Sequence, residues 1–407
     1  MYLINLHWHI KTLTLLGRNM TNIKTIVAVS KLIDPLKASQ EIQQQLNHPD
    51  IDFVLFYCSA IYQLDELAAA MTLCLKGIDI VGCTTAGEFT RDGSEQKSIV
   101  AIGFSGKYFS ISATQVESME DFTVVDAQNT MSELAAQCCL KELAPIQDNS
   151  FLVTLLDGLS RKEELFLQTL NAATYGIPHF GGSAGDDVNL ANTHVFYHNK
   201  FYQQAAIVIL INTKCAFEVF NCNHIKCPTE KLVVTEADVE NRTVYELNAM
   251  PAAIEYANLL NIDVKDLTPE VFSLNPLAVK VGGQYYIRSI QKVNVEDLSL
   301  TFYCAIDVGI VLAAVEMDNI FDSLNNQLEN ITQRLGKSEL VLAFDCFLRR
   351  IEIEQKELNK EIESLYDKYN IAGFNSYGEH INGIHLNQTF AAVFIAANET
   401  KEDNVNE

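Results

Sequence analysis

The sequence predicts an α/β layered protein of two domains, built from related strand–helix–strand–glycine turn–strand units. Three observations predict this fold class: a length of 407 residues, a glycine-rich motif that occurs three times, and the same order of apolar patterns around each copy. A chain of this length exceeds one typical hydrophobic core, so we expect two domains.

The first copy of the motif reads GIDIVGCTTAGE over residues 77–88. Before it lie a buried-strand pattern (52–59) and an amphipathic helix pattern whose apolar face runs from residue 61 to 75. After it comes an apolar run (98–104) that predicts the closing strand. One complete unit is therefore expected within the first hundred residues or so.

The second and third copies repeat this order of elements. The second copy, GIPHFGGSAGDD (176–187), follows a strand pattern (150–158) and a helix pattern (163–174) and precedes an apolar run (203–211). The third, IAGFNSYGEH (371–380), follows a strand pattern (339–346) and one helix face (351–369) and precedes a strand pattern (387–396). Phosphate-binding glycine motifs open into a helix, whereas strand patterns follow here, so we interpret the turn as a scaffold element.

The segment between the second and third copies has a different pattern. Pro228 and a polar cluster over 221–231 predict a domain boundary. Beyond it we expect a helix over 246–260 with Pro251 in its first turn. Strands around turns are expected over 271–290, and a helix over 318–335.

Composition excludes some partners and favours a cytoplasmic protein. The chain has 29 basic and 52 acidic residues, a net charge of −23, so neither nucleic acid nor an anionic membrane is an expected partner. The first 19 residues lack a signal-peptide layout, and we interpret Met20 as the true start. The ten cysteines lack the paired spacing of a disulfide scaffold, which favours reduced thiols.

A series of short motifs carries a family resemblance. In chain order, VGCTTAGEF, FGGSAGDD, PAAIEY, NPLAVK, YYIRS, FDCFLRR, GFNSYGE and HLNQTF resemble landmarks of FIST proteins, a family named for F-box and intracellular signal transduction. The resemblance implies an N-terminal extension (1–22), a FIST N domain (23–227), a FIST C domain (228–397) and an acidic tail (398–407). It also implies a sensory, non-enzymatic protein that binds a ligand and signals through a separate partner.

The ending YGEH-x4-HLNQTF most resembles the NosP-type nitric-oxide-sensing haem proteins within this family. That resemblance implies a bound haem b, a response to NO, and a sensor histidine kinase or a cyclic-di-GMP enzyme as partner. His385 is then the predicted axial ligand of the haem iron, and His380 is the second candidate. The alternative for His385 is a ring that hydrogen-bonds to the turn and shapes it.

Three further segments offer ligand atoms. Cys227, which precedes a proline, could give a thiolate to haem, and together with Cys222 and His224 it offers three metal ligands. A zinc site needs a fourth ligand, so reduced thiols at a domain boundary are the alternative. Arg288 could clamp an anionic ligand or pair with an acidic residue, and Arg349 and Arg350 could do likewise.

The remaining polar candidates have structural interpretations. Glu88, Asp186 and Glu379 follow the three turns, and we favour carboxylates that fix the turns over acid–base chemistry or cation binding. His194 and His198 are interpreted as surface or strand-end residues.

Two other functions stay open beside the haem sensor. One is a haem-free sensor of a small metabolite such as an amino acid, in which Arg288 and the turn amides bind the ligand. The other is an enzyme, although the sequence has no recognisable nucleophile elbow or cofactor fingerprint.

Overall fold

The computed structural model describes residues 23–187 and 189–399, and it confirms the α/β fold class. Its core consists of three repeats, each with a leading strand, a helix, two parallel strands around helical segments, a short β-hairpin and a closing strand. An antiparallel sheet is inserted into the third repeat. The repeats are longer than the predicted units, because each begins with one more strand and helix.

The first two repeats follow each other directly along the chain. The elements of repeat 1 are β1 (Thr25–Ser30), α1 (Pro35–Gln45), β2 (Ile51–Ser59), α2 (Leu64–Cys74), β3 (Asp79–Thr85), β4 (Glu88–Thr90), β5 (Gly93–Glu95) and β6 (Ile99–Ser105). The elements of repeat 2 are β7 (Phe109–Val116), α3 (Val124–Cys139), β8 (Ser150–Leu156), α4 (Glu163–Asn171), β9 (His179–Ser183), β10 (Val195–Tyr197), β11 (Lys200–Tyr202) and β12 (Ala206–Thr213).

Repeat 3 is interrupted after its leading strand, β13 (Cys215–Cys222). The inserted part contains β14 (Ile225–Asp238), β15 (Thr243–Leu247), β16 (Met250–Pro251), α5 (Ala252–Leu260), a 3₁₀ turn (Val264–Asp266), α6 (Pro269–Leu274), β17 (Leu277–Val281), β18 (Gln284–Arg288), β19 (Ile290–Asn294), β20 (Ser299–Phe302) and β21 (Val311–Met317). Repeat 3 then resumes with α7 (Ile320–Leu335), β22 (Ser338–Cys346), α8 (Phe347–Gln355), α9 (Asn359–Tyr369), β23 (Ile371–Ser376), β24 (Glu379–Ile381), β25 (Ile384–Leu386) and β26 (Phe390–Glu399).

Each repeat gives its hairpin to another repeat's sheet. The sheet of repeat 1 has the order β1-β6-β2-β3-β10-β11, so its last two strands come from repeat 2. The sheet of repeat 2, β7-β12-β8-β9-β24-β25, ends in the hairpin of repeat 3, and the sheet of repeat 3, β13-β26-β22-β23-β4-β5, ends in the hairpin of repeat 1. The three repeats are therefore joined in a closed cycle.

Alternating side chains of the strands explain how the sheets pack. On β2, Phe53, Leu55 and Tyr57 face a core shared by all three sheets, whereas Val54 and Phe56 face the helices of repeat 1. The corresponding strands β8 and β22 divide their residues in the same way. Since one fully buried aliphatic or aromatic side chain contributes about 1.5–3 kcal/mol, this shared core is the main source of stability.

Three glycines allow the two parallel strands of each repeat to pair closely. Gly82, Gly181 and Gly373 occupy the same position in the second parallel strand of each repeat, opposite a residue of the first parallel strand. An added Cβ would lie 2.2, 2.0 and 1.7 Å from the carbonyl oxygens of those partners. Since real Cβ atoms do not approach this closely, a side chain at these positions forces the paired strands apart.

The sequence predictions differ from the structure at several boundaries. A hairpin stands between each turn and the closing strand, where an apolar strand alone was predicted. The helix face predicted over 351–369 is two helices, α8 and α9, separated at Glu357, whose φ is 56°. Pro251 is the N-cap of α5 rather than part of its first turn, because residues 243–247 form β15. The predicted division between residues 227 and 228 falls within β14.

None of the helices in the described ranges is long and apolar enough to cross a bilayer.

Candidate functional site

The glycine turns of the three repeats meet and bond to each other. Asn375 accepts a hydrogen bond from Ala86 N at 2.9 Å and donates its own N–H to Gly87 O at 2.7 Å. Gly185 N donates to Thr84 O at 3.0 Å, and an added Cβ there would lie 2.6 Å from Ala86 N. The turns thus act as the junction of the repeats, as the scaffold interpretation predicts.

The acids that follow the turns are buried acceptors. Glu88 accepts hydrogen bonds from the Thr85 hydroxyl and, at 2.6 Å, from the Ser98 hydroxyl. Glu379 accepts from the Ser376 hydroxyl and from Thr389 N at 3.2 Å. These contacts, all within 11 residues of the carboxylate in sequence, agree with carboxylates that fix their own turns.

Asp186 fixes the loop that follows the second turn. Its two carboxylate oxygens accept from the backbone amides of Leu190, Ala191 and Asn192 at 2.7–2.8 Å, and from the Tyr377 hydroxyl. The loop and repeat 3 are therefore held together by one carboxylate.

Burial of Glu88 makes the stability of the protein depend on pH. Burial raises the pKa of Glu88 from 4.5 to about 8, against the opposing hydrogen bonds from Ser98 and Thr85. The folded state keeps this proton to a higher pH than the unfolded chain, so the free energy of unfolding falls as the pH rises from 4.5 to 8. Glu379, whose pKa burial also raises, contributes in the same direction.

We expect the wild-type protein to lose about 2–3 kcal/mol of unfolding free energy between pH 6 and 9 through Glu88 alone. Glu88→Gln should flatten this dependence, and Glu88→Gln with Glu379→Gln should flatten it further. Urea unfolding at both pH values measures the difference. Equal pH dependence in the wild type and the double variant would contradict the neutral state of these carboxyls.

His380 occupies a packing position in the sheet of repeat 2. It pairs with Gly181, at the place where the other two sheets put Phe196 and Phe89 opposite their glycines. The ring is fully buried, and its Nε2 lies against the Thr154 hydroxyl. Burial lowers the pKa of His380 well below its usual value, with help from nearby His179 and His385. This imidazole therefore replaces a phenyl ring in the core.

Buried neutral histidines predict acid sensitivity. Burial lowers the pKa of His179 to about 4, and His380 is shifted in the same direction. Below pH 6.5 these two histidines bind protons in the unfolded chain but stay neutral in the folded protein. The free energy of unfolding therefore falls as the pH falls.

Across the sheet of repeat 2, Thr154, Gly181 and His380 lie side by side on neighbouring strands. The double variant Thr154→Ala, His380→Phe gives this row the residue types found at the same place in the sheet of repeat 3, which are Ala, Gly and Phe. We expect the unfolding free energy of this double variant to fall less than that of the wild type between pH 7 and 4.5, because the pKa of His380 is lowered by burial. Guanidinium unfolding at the two pH values measures this, with His198→Ala at an exposed turn as control. An unchanged pH dependence would contradict it.

A cavity of about 390 Å³ lies between the inserted sheet and repeats 2 and 3. Arg161 and Glu163 line it from repeat 2, and Tyr377 and His385 from repeat 3. The inserted part contributes mainly polar side chains to the wall, among them Asn241, Arg242, Gln291, Lys292 and Tyr303. Cavities of this size, at an interface between two structural units, are typical of small-molecule sites.

A buried charge network forms the floor of this cavity. Arg242 donates from Nη2 to Glu163 Oε2 at 2.6 Å and to Glu164 Oε2 at 2.7 Å, and from Nη1 to Tyr303 O at 2.6 Å. Glu164 Oε1 accepts from Ala305 N at 3.0 Å and contacts His385 Nδ1 at 3.1 Å. The two carboxylates are held in the first turn of α4, where the helix dipole favours negative charge.

Opposing effects act on Glu164. Burial raises its pKa, but the charge and hydrogen bond of His385, with Arg242 and the Ala305 amide, outweigh burial and hold the pKa of Glu164 well below its usual value. Glu164 is therefore the ionised acid that links α4, β25 and the inserted sheet.

The other predicted ligand residues lie apart from each other. Cys227 is partly exposed on β14, where its thiol contacts Glu316 at 3.4 Å. Arg288 Nη1 donates to the carbonyls of Ile287 and His385, each at 3.2 Å. Within residues 23–187 and 189–399, no group of three His, Cys, Asp or Glu side chains is placed to hold a metal ion.

His224 belongs to a separate buried cluster. Its Nε2 contacts Glu352 at 2.8 Å, and its Nδ1 lies 3.1 Å from Arg349 Nη1. Arg349 also donates from Nε to Asp345 at 2.5 Å. This cluster lies where the chain leaves repeat 3 for the inserted sheet. The chain comes back to the same place, where Asp318 N donates a hydrogen bond to His224 O at 2.7 Å.

Two family profiles match this chain. The FIST N domain profile matches residues 52–250, and the FIST C domain profile matches residues 252–382. The chain belongs to the FIST family. FIST domains are sensory, ligand-binding domains of signal transduction. The search of curated proteins finds no match to this FIST protein.

The haem implied by the sequence resemblance can be tested against the side chains of this FIST protein. His380 Nε2 is hydrogen-bonded to the Thr154 hydroxyl, and His385 Nδ1 is hydrogen-bonded to the Glu164 carboxylate. His385 Nε2 is buried and lies against Gly378, where an added Cβ would be 2.4 Å away. The cavity wall beside His385 is mainly polar and charged. In this arrangement, His380 and His385 do not fit the role of axial ligands to a haem iron.

The sequence prediction missed the cations of the cavity. Arg161, Arg242 and Lys292 lie in three separate segments without a motif, and they meet only because the inserted sheet folds back on repeats 2 and 3. His194 directly precedes β10, where its N–H donates to the Thr84 hydroxyl, and His198 lies at the exposed β10–β11 turn, as predicted for strand-end and surface residues.

Proposed function

We propose that this FIST protein is a haem-free sensor that binds a small polar metabolite between its inserted sheet and its three-repeat core and reports to a separate partner protein. The observation that carries the proposal is the cavity of about 390 Å³ whose walls come from both units. A ligand that contacts both units changes their relative stability, which is the differential interaction that a switch requires.

Polar contacts around the cavity also support coupling between the two units. Ser289 N donates to Asn387 Oδ1 at 3.1 Å, and Gln388 Nε2 donates to Ser273 O at 2.6 Å. Together with the Arg242–Glu163 pair, these bonds join the inserted sheet to repeats 2 and 3. Binding in the cavity acts on this interface, and the interface carries the signal to the surface.

Thermal-shift screening of a broad metabolite panel, including amino acids, sugars and organic acids, tests the proposal. We expect at least one compound to raise the melting temperature, and Gln291→Trp, which fills the cavity, to abolish the effect. Gln128→Trp, on an exposed face of α3, is the matched control. A ligand whose effect survives Gln291→Trp, or a panel without any binder, would overturn the assignment of this cavity.

The haem-bound, NO-responsive sensor stays a prediction from the sequence, with His385 as its ligand and a histidine kinase or cyclic-di-GMP enzyme as its partner. An absorption spectrum of protein purified from haem-supplemented cells decides between the two. A colourless protein that takes up no added haem supports the haem-free sensor. A stoichiometric Soret band that shifts with NO and is altered in His385→Ala would overturn it. The cytoplasmic location also stays a prediction.

A further inference from the structure

Two exposed cations line the cavity without a direct ion pair to any described carboxylate. Arg161 and Lys292 are exposed side chains that line the cavity, and among the described residues neither forms an ion pair with a carboxylate. Arg161 donates from Nη1 to Asn241 Oδ1 at 2.9 Å. Its charge adds to the hydrogen bonds from Asn241 that lower the pKa of Asp238. Acids exceed bases by 23 in this chain, and these two cations nevertheless lie without a direct ion pair at one cavity.

The two cations come from different structural units. Arg161 precedes α4 in repeat 2, and Lys292 lies on β19 of the inserted sheet. The Arg161–Asn241 hydrogen bond crosses from one unit to the other, since Asn241 belongs to the inserted part. A ligand with negative charge at both ends can therefore contact a cation on each unit.

The floor of the cavity does not compete for this ligand. Arg242 is bound by Glu163 and Glu164, so its charge is already neutralised, and His385 Nδ1 contacts Glu164 Oε1 at 3.1 Å. The charge left for a ligand is the positive charge at the mouth. Gln291, Thr301 and Tyr377 also line the cavity.

We propose that the ligand is a small dianion, held at its two ends by Arg161 of the core and Lys292 of the inserted sheet. This inference rests on the proposed function and names the ligand class of the same cavity. Dicarboxylates, with a carboxylate at each end, have the required chemistry, whereas a phosphate monoester carries its charge at one end only. Arginine binds either group through two parallel N–H donors, and lysine acts as a point charge.

Calorimetric titration with succinate, glutarate and glycerol phosphate tests the ligand class, with succinamide and putrescine as neutral and cationic probes of similar size. We expect a dianion to bind and the neutral and cationic probes not to bind. Glycerol phosphate, which is charged at one end only, should bind more weakly than succinate or glutarate. Binding should weaken with added salt, because ion pairs at an exposed mouth are screened.

Arg161→Gln and Lys292→Gln should each weaken binding of the dianion about tenfold or more, since each removes a charge-assisted contact. Lys76→Gln, exposed and away from the cavity, is the matched control. Equal affinity of succinamide and succinate, or unchanged affinity in both cavity variants, would overturn the dianion. One outcome is that the broad screen yields a ligand whose effect Gln291→Trp abolishes while no dianion binds. In that case the ligand class is wrong and the proposed sensor stands. If neither experiment yields a ligand, both are wrong.

Discussion

Replacement of Arg349 by methionine should lower the free energy of unfolding by about 3–5 kcal/mol. The Arg349 side chain is only 1% exposed and bonds to Asp345 and His224. Methionine keeps much of the volume but leaves the Asp345 carboxylate buried without its partner. The desolvation of that unpaired charge, more than the lost attraction, causes the destabilisation. Urea unfolding followed by circular dichroism measures the change.

A matched control separates this effect from the loss of any arginine ion pair. Arg334 bonds to Glu218 at 2.7 Å on the surface, where its side chain is 55% exposed. Arg334→Met should therefore change stability by about 0–1 kcal/mol. Asp345→Asn combined with Arg349→Met should recover part of the loss, because it removes the uncompensated charge. If Arg349→Met is no more destabilising than Arg334→Met, the cluster is not the buried network described above.

Replacement of Gly373 by alanine should destabilise the protein by about 3 kcal/mol or more. The new Cβ would lie 1.7 Å from Ala343 O, a backbone atom of the paired strand that has no room to move. The strands β22 and β23 must separate, and the hairpin from repeat 1 that lies on β23 must shift with them. Thermal and urea unfolding measure the loss.

Gly309→Ala is the control for this prediction. Gly309 has a φ of 86° and nothing within 4 Å of an added Cβ, so only backbone strain opposes alanine there. We expect a loss of about 1 kcal/mol. Similar losses in both variants would contradict the close approach of the strands as the reason for Gly373.

The triple repeat could be predicted from sequence because its signals are local. Apolar runs and the spacing of Gly82 to Gly87 and of Gly373 to Gly378 mark the strands and turns without reference to the rest of the chain. The exchange of hairpins could not be predicted, because hydrophobic alternation shows that a strand is half-buried but not which sheet it joins. The break between α8 and α9 was missed because apolar spacing continues across Glu357.

The candidate site was harder to predict for the same reason. Its cations converge from segments about 50 to 130 residues apart, and no spacing rule connects them. The packing role of His380 did leave a signal. Superposing the three repeats places His380 with Phe89 and Phe196, which indicates a core position rather than a ligand.

The cyclic exchange of hairpins determines when the protein can finish folding during synthesis. The strands β4 and β5 leave the ribosome early, but the sheet they complete includes β22, β23 and β26, which are made last. Until then, the early hairpin has no partner, and the second sheet lacks β24 and β25 at its β9 edge. A nascent chain that stops at residue 250 presents this unpaired hairpin to other chains. Newly made protein therefore depends on rapid completion, or on chaperones, to avoid aggregation.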